Sequence, residues 1–253
     1  MVEEHRGEIL MLANVLLLTV LLSIGGYLLV YLPEYLVLGG IILSLTQGIV
    51  GIILPYHLKR TNIVKYRFFP RKNEGLKAVV LTAVFTLLLS AAGYNSVWKL
   101  ISTPPHFLPA IYTFFFLLLT ATMYGLIFWG GLLHVFKDRY GPLIGIVLTG
   151  LLFSAYHLSE FAFTPIAFEF LFPMFISGCI CSVFTILSDS VLPALIAQQF
   201  GQFVYFLALE ENPYAEPTGL VFSLLFLAIS FALYGLFWKK RGERISNRTL
   251  RDG

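Results

Sequence analysis

Long apolar runs dominate this sequence and constrain its fold more than any other feature. Each run holds about 20 residues, the length with which an α-helix crosses the hydrocarbon core of a bilayer. Hydrophobic residues make up 58% of the chain and charged residues 12%, whereas soluble domains carry about 25% charged residues. The pattern predicts an all-α, polytopic transmembrane helix bundle of about eight spans, with seven or nine left open. The predicted spans are residues 9–32, 35–56, 76–98, 107–136, 142–160, 166–187, 190–209 and 218–238.

Basic residues orient the predicted bundle, because the cytoplasmic segments of membrane proteins are enriched in Lys and Arg. With the N-terminus inside, 16 of the 17 basic residues fall on inner segments, and Lys99 alone lies near the outer side. The predicted outer segment 210–217 is acidic, and an odd number of spans would move a large basic segment outside. The sequence therefore predicts a multi-pass integral protein of a prokaryotic plasma membrane, with both termini cytoplasmic.

The predicted inner segment 59–72 combines basic residues with Tyr66, Phe68 and Phe69. This composition is typical of a positively charged inner loop with interfacial aromatic side chains. A site for lipid headgroups or for a partner is the alternative. The bilayer is the predicted partner of these basic residues, and the sequence contains no nucleic-acid motif. Around this loop we predict three regions: N-terminal helices in 1–106 with the basic loop 58–75, a core in 107–209, and a last helix with a basic tail in 210–253.

Polar residues inside membrane spans are costly, so each is a candidate for a functional site. At about 1.5 Å per residue, Tyr124 lies about 18 Å from the inner end of its span and His157 about 22 Å. Gln198 and Gln202 lie about 12–18 Å in by the same rise and, four residues apart, share a helix face. A polar cavity between the fourth, fifth and seventh spans is one interpretation, and hydrogen bonds that hold the helices together are the other.

The stretch from Ala121 to Gln202 also carries motif blocks of a known family. Phe153-Ser154-Ala155-Tyr156-His157 forms an F-x-x-x-H block on the fifth predicted span. Residues 126–130 on the fourth span and 188–193 before the seventh stand at matching spacing. In these blocks the sequence resembles the CPBP family, the CAAX-processing and bacteriocin-processing membrane endopeptidases also called Abi proteins. The resemblance implies a helical membrane protease for hydrophobic or prenylated peptides.

The polar catalytic positions of that family are mostly replaced here. Its blocks are E-E-x-x-x-R before Gly, F-x-x-x-H, and H-x-x-x-N. Phe153 and His157 keep the second block. The resemblance implies a glutamate that activates water with help from histidine, but tyrosine is a poor base at neutral pH and glutamine does not titrate. Tyr124 and Gly125 stand in place of the two glutamates, and Trp129 in place of the arginine. Gln198 stands in place of the second histidine and Gln202 in place of the asparagine.

Glu160 is the nearest carboxylate in sequence to His157. It follows three residues later on nearly the same helix face, where it could orient the imidazole or act as the base. The alternative is a solvated side chain at the outer interface. His157 and Glu160 are only two potential metal ligands, and glutamine is a poor zinc ligand. Cys179 and Cys181 lack a metal-ligand pattern and are predicted to be small core residues, so the sequence predicts no metal and no cofactor.

Three functions remain open from the sequence. The first is a CPBP-like protein that has lost protease chemistry and binds a membrane peptide or protein partner around the former site. The second is an active endopeptidase of the CAAX-processing type that uses His157 with an unorthodox base. The third is a small transporter, although no pair of broken helices occurs in matching halves of the sequence.

Overall fold

The computed structural model describes residues 6–69, Val80, 118–160 and 165–207. Within these ranges, side chains are not described at positions 26, 29, 30, 33, 36, 37, 40, 44, 159, 160, 165–170 and 200–207. Within these ranges, helices and short turns are the whole of the structure, with no strand. The helices are α1 (Arg6–Tyr31), a 3₁₀ turn (Pro33–Tyr35), α2 (Leu36–Leu45), a first π segment (Thr46–Ile53), α3 (Leu54–Arg60), a second π segment (Gly125–Leu132) that continues a helix from 118, α4 (Leu133–Tyr140), α5 (Pro142–Glu160), α6 (Pro165–Ser188) and α7 (Leu192–Leu207).

Four of the described helical stretches are long and apolar enough to cross a bilayer, and a shorter apolar helix joins them. The prediction of an all-α membrane bundle is therefore confirmed. The predicted spans 76–98 and 218–238 lie outside the described residues, so the count of eight stays a prediction. The four long stretches are Arg6–Gly25, Ile41–Arg60, Leu118–Tyr140 and Leu171–Ser188, and the shorter helix is Pro142–Leu158.

Helix α1 shows how these apolar helices divide their surface between protein and lipid. Met11, Leu18 and Leu22 are buried and, being seven and four residues apart, lie on one helix face. Leu16 and Val20 on the other side are exposed. Because the exposed side is as apolar as the buried one, this helix suits a hydrocarbon environment on its outer face.

Helices α5 and α6 pack closely because glycines face each other at their crossing. A Cβ atom added at Gly178 would lie 2.9 Å from the Cα of Gly150, which is too close for any side chain. Small residues of this kind let two helix backbones approach each other in membrane proteins. Ser154 reinforces the contact by donating a hydrogen bond to the backbone oxygen of Leu171. The α5–α6 pair is thus a fixed support for the residues that α5 carries.

Charged and polar groups from separate parts of the chain meet at one end of the bundle. Arg139 at the end of α4 forms an ion pair with Glu8 near the start of α1, and the Tyr140 hydroxyl donates to Glu8 at 3.2 Å. Arg67, in the loop after α3, forms an ion pair of 2.6 Å with Asp189 before α7. These segments are the ones for which the sequence predicts the inner side. The structure places them at a common end, and the cytoplasmic orientation of that end stays a prediction.

Candidate functional site

The second π segment supplies one wall of the candidate site. All eight of its residues are buried, and Tyr124 precedes it with 1% of its surface exposed. A π segment widens the helix by one residue per turn and is frequent at functional positions. Tyr124 and Trp129 both lie on the side that faces α5, where each contacts the ring of Phe153.

His157 lies on α5 with 3% of its surface exposed. Its Nδ1 atom is 2.7 Å from the backbone oxygen of Phe153, one turn earlier. A carbonyl oxygen can only accept, so Nδ1 carries the proton and donates it to this bond. In the neutral ring, Nε2 is then the nitrogen with the lone pair. The helix itself therefore sets which imidazole nitrogen could act as a base.

Aromatic rings surround His157. Phe153 lies edge-on with its ring centroid 4.6 Å from that of His157, and Tyr156 and Tyr124 follow at 5.5 and 5.6 Å. Phe128 and Trp129 extend this set, since both contact Phe153 at 5.2 and 5.1 Å. We call these five residues the aromatic cluster. Edge-to-face pairs at such distances stabilise a packed core beyond the area that they bury.

Trp129, at the position of the family's arginine, is anchored rather than presented to a ligand. It is fully buried, and its indole N–H donates a hydrogen bond of 3.3 Å to the backbone oxygen of Gly178 on α6. A buried indole usually needs such a partner. Trp129 thus connects the second π segment to α6, a structural role that an apolar ring fulfils without charge.

Gly125, at the position of the second glutamate, lies against Leu195, which would have to shift to admit a side chain at this position. A Cβ atom built there would lie 2.6 Å from the Cδ2 and 2.8 Å from the Cγ of Leu195 on α7. Leu195 is itself 8% exposed. An apolar side chain from α7 therefore occupies the volume into which a carboxylate at position 125 would extend.

Gln198 lies on α7 with its amide directed to α6. Its Nε2 atom is 3.1 Å from the Ser177 hydroxyl and 3.8 Å from the sulfur of Cys181, and 7% of its surface is exposed. Both cysteines are buried free thiols, as their prediction as core residues requires. The contact fits the interpretation of the glutamines as hydrogen bonds between helices.

Glu160 is the last residue of α5, and Gln202 lies five residues before the end of α7. Their side chains are outside the described part of the structure, so any contact with His157 stays a prediction. Among the described residues, no three His, Cys, Asp or Glu side chains come together as a metal-binding group. The absence of a metal or cofactor remains a prediction from sequence.

The structure thus brings Tyr124, Trp129, Phe153 and His157 together, and it adds residues that sequence reasoning missed. Leu195 and Tyr156 are the most informative of these. Tyr156 adjoins His157 in the motif, which is a usable signal, whereas a leucine on an apolar helix carries none.

Comparison with known proteins agrees with this geometry. Residues 105–204 match the family described as type II CAAX prenyl endopeptidase Rce1-like. No curated protein matches the chain. The match spans the second π segment, α4, α5, α6 and most of α7, which are the elements that build the site.

The fold and the site define a class: helical membrane proteins with a buried histidine among aromatic side chains. More narrowly, residues 105–204 match the CAAX protease-like family model, which confirms the resemblance stated from the sequence. The predicted core 107–209 has nearly the same limits as the matched segment, but the three-region division of the chain stays a prediction.

Proposed function

We propose that this CAAX protease-like membrane protein has lost peptide hydrolysis and binds a hydrophobic or prenylated peptide, or a membrane protein, instead. One observation carries the proposal: Leu195 occupies the volume next to Gly125 that a carboxylate would need. General-base catalysis requires a group of suitable pKa within reach of the attacking water. Tyr124 and Gly125 do not supply such a group.

The aromatic cluster supports the same proposal from a second side. In the family the region next to the histidine is implied to be polar, whereas here five aromatic residues, each no more than 3% exposed, pack around His157. Rings packed edge to face form a rigid apolar core. Such a core supports a fold and an apolar binding surface better than it supports a hydrated reaction.

Partner binding is tested with a farnesylated CAAX peptide that carries a photoreactive group. The purified protein in lipid nanodiscs is irradiated with this peptide, and the crosslinked residues are mapped by mass spectrometry. We expect crosslinks on α5 to α7 that an unlabelled farnesylated peptide reduces and an unprenylated one does not. Crosslinks spread evenly over α1 and α2, with no competition, would contradict the proposal.

A second function, an active endopeptidase, has one observation in its favour. The bond from Nδ1 of His157 to Phe153 leaves Nε2 as the basic nitrogen of the neutral ring. That tautomer suits a histidine that accepts a proton, provided that Glu160 or another group supplies the base for water. Activity that disappears in both His157→Ala and Glu160→Gln, and persists in the exposed control His57→Ala, would establish this second function.

A further inference from the structure

The end of α3 and the loop after it form a cationic surface without acidic residues. Residues 57–69, which we call the basic platform, contain four Lys or Arg residues and no Asp or Glu. Arg67 is paired with Asp189. Among the described residues, Lys59, Arg60 and Lys65 have no carboxylate partner. Two of these, Arg60 and Lys65, are exposed.

The near half of the basic platform is a preformed turn. The backbone N–H groups of Ile63 and Val64 both donate to the Leu58 oxygen, at 3.0 and 3.2 Å, and Asn62 adopts a left-handed conformation with φ of 59°. Val64 is buried at 2% exposure and so anchors the turn to the bundle. The chain between Arg60 and Lys65 is therefore ordered before any ligand binds.

Tyr66 fixes one of the cations. The ammonium of Lys59 lies 5.0 Å from the centroid of the Tyr66 ring, which is a cation–π distance. The ring is 6% exposed. Lys59 at the end of α3 is thereby held against the loop that carries Lys65.

The far half of the basic platform is clamped to the start of α7. The backbone N–H of Val191 donates to the Arg67 oxygen at 3.0 Å, and the Ser190 hydroxyl donates to the Phe68 oxygen at 2.5 Å. Together with the ion pair between Arg67 and Asp189, these bonds hold the loop against the bundle. The exposed cations of the loop are therefore carried on a backbone that is fixed at both ends.

The position of the basic platform identifies the ligand chemistry. Its first residues end the candidate span Ile41–Arg60, so it lies at the membrane surface. The aromatic side chains of Tyr56 and Phe69 flank it with 56% and 69% of their surface exposed. Exposed aromatic rings are typical of the headgroup level of a bilayer, and exposed cations attract anionic headgroups there.

We propose that the basic platform is a binding site for the phosphate headgroups of anionic phospholipids. Arg60 and Lys65 contact the phosphate. Phe69 and Tyr56 lie where the headgroup region meets the acyl chains. The site is separate from His157 and does not depend on whether the protein cleaves or binds peptides.

The test compares phosphatidylglycerol with phosphatidylcholine. Purified full-length protein in neutral detergent is titrated with each lipid, and bound lipids are counted by native mass spectrometry. We expect phosphatidylglycerol to bind preferentially and to weaken as salt is raised. At about fivefold per cation, the double variant Arg60→Gln/Lys65→Gln should bind it about 30-fold more weakly.

Two further variants keep the test decisive. Arg6→Gln/Lys137→Gln removes two cations from the same end of the bundle, outside the platform, and should retain the lipid preference. The exchange Arg60→Lys/Lys65→Arg keeps both charges and should bind like the unchanged protein.

If the variant Arg60→Gln/Lys65→Gln fails to fold, Lys65→Gln alone replaces it. Because Lys65 is exposed, this single variant should fold and still bind the lipid about fivefold more weakly. Equal binding of both lipids, equal losses in both glutamine pairs, or equally tight binding of a soluble acidic peptide would overturn the proposal.

Discussion

The aromatic cluster around His157 and the charged end of the bundle differ in the forces that hold them. In the aromatic cluster, side chains are 0–2% exposed and contact each other through ring edges. At the charged end, ion pairs and hydrogen bonds join α1, α4, the loop after α3 and the start of α7, and Asp189 is 58% exposed. One region depends on exact packing and the other on partly hydrated charges.

The difference shows which region can still change its chemistry. A buried cluster penalises added volume and added charge together, because its neighbours cannot move far and no water solvates an ion. At the charged end, the Arg67–Asp189 pair tolerates substitution, because solvent screens it. A protease would need its charges in the interior around His157. Aromatic rings and Leu195 occupy that interior in this protein.

Restoring a carboxylate in the interior should have the largest effect. Gly125→Glu brings a Cβ within 2.6 Å of Leu195 and buries a charge, so we expect it to destabilise the fold by at least about 4 kcal/mol. Unfolding in sodium dodecyl sulfate measures this loss. Gly125→Glu/Leu195→Ala makes room and should recover part of it. If the single variant is as stable as the unchanged protein, the interior is not packed as described.

Removing the central ring of the aromatic cluster should have the next largest effect. Phe153→Ala leaves a cavity between Tyr124, Trp129 and His157 and should cost about 3–5 kcal/mol of unfolding free energy. Phe172→Ala, on an exposed surface of α6, is the matched control and should change stability by no more than about 0.5 kcal/mol. The same unfolding titration reports both, and equal losses would remove the distinction between interior and surface.

A smaller effect is expected where the two regions meet, at Tyr66. Its hydroxyl has no hydrogen-bond partner in the described part of the structure, so Tyr66→Phe should be neutral or stabilise the fold by up to about 1 kcal/mol. Burial raises the pKa of Tyr66, with the nearby Tyr56 adding to the shift. The neutral ring is therefore favoured in the folded state.

The sign of the pH dependence follows. A folded pKa above the unfolded value of about 10 contributes stability below pH 10 that is lost as pH rises toward the folded pKa. Unfolding curves of the unchanged protein should thus lose stability above about pH 10, and those of Tyr66→Phe should lose less. Tyr27→Phe, at an exposed tyrosine, is the control. An identical alkaline loss in Tyr66→Phe would show that Tyr66 is not buried.

The smallest effect is expected for the ion pair at the charged end. Asp189→Asn removes the partner of Arg67 and keeps a residue type that tolerates the left-handed conformation of position 189, where φ is 52°. We expect a loss of about 0.2–1 kcal/mol that disappears at high salt. Glu34→Gln, at an exposed position with no ion pair among the described residues, removes an equal charge as a control. A loss comparable to that of Phe153→Ala would contradict the comparison of the two regions.

The sequence predicted the helices of the described regions well, because apolar length is a direct signal of a membrane span. The fifth predicted span, 142–160, has the limits of α5, and the first and seventh agree with α1 and α7 within three residues. The π segments were not predictable. A change from i→i+4 to i→i+5 hydrogen bonds is not visible in the sequence of an apolar run. The fourth helix also continues past the predicted end at 136 to Tyr140.

The sequence predicted which residues form the candidate site, but only partly how their side chains contact each other. The motif blocks selected Trp129 and Phe153, and the depth estimate placed Tyr124 and His157 at comparable levels. The structure brings these four residues together. Depth says nothing about rotation around a helix axis, so it did not show that the Gln198 amide contacts α6. It also gave no sign of Leu195, whose importance depends on a glycine on another helix.

The central claim is the proposal that this CAAX protease-like interior has exchanged protease chemistry for packing. The most direct measurement incubates the purified protein in nanodiscs with a farnesylated CAAX peptide and quantifies the released tripeptide by mass spectrometry, with His157→Ala and His57→Ala in parallel. The account predicts that all three preparations release the same background amount. Robust release by the unchanged protein and by His57→Ala, abolished in His157→Ala, would contradict it.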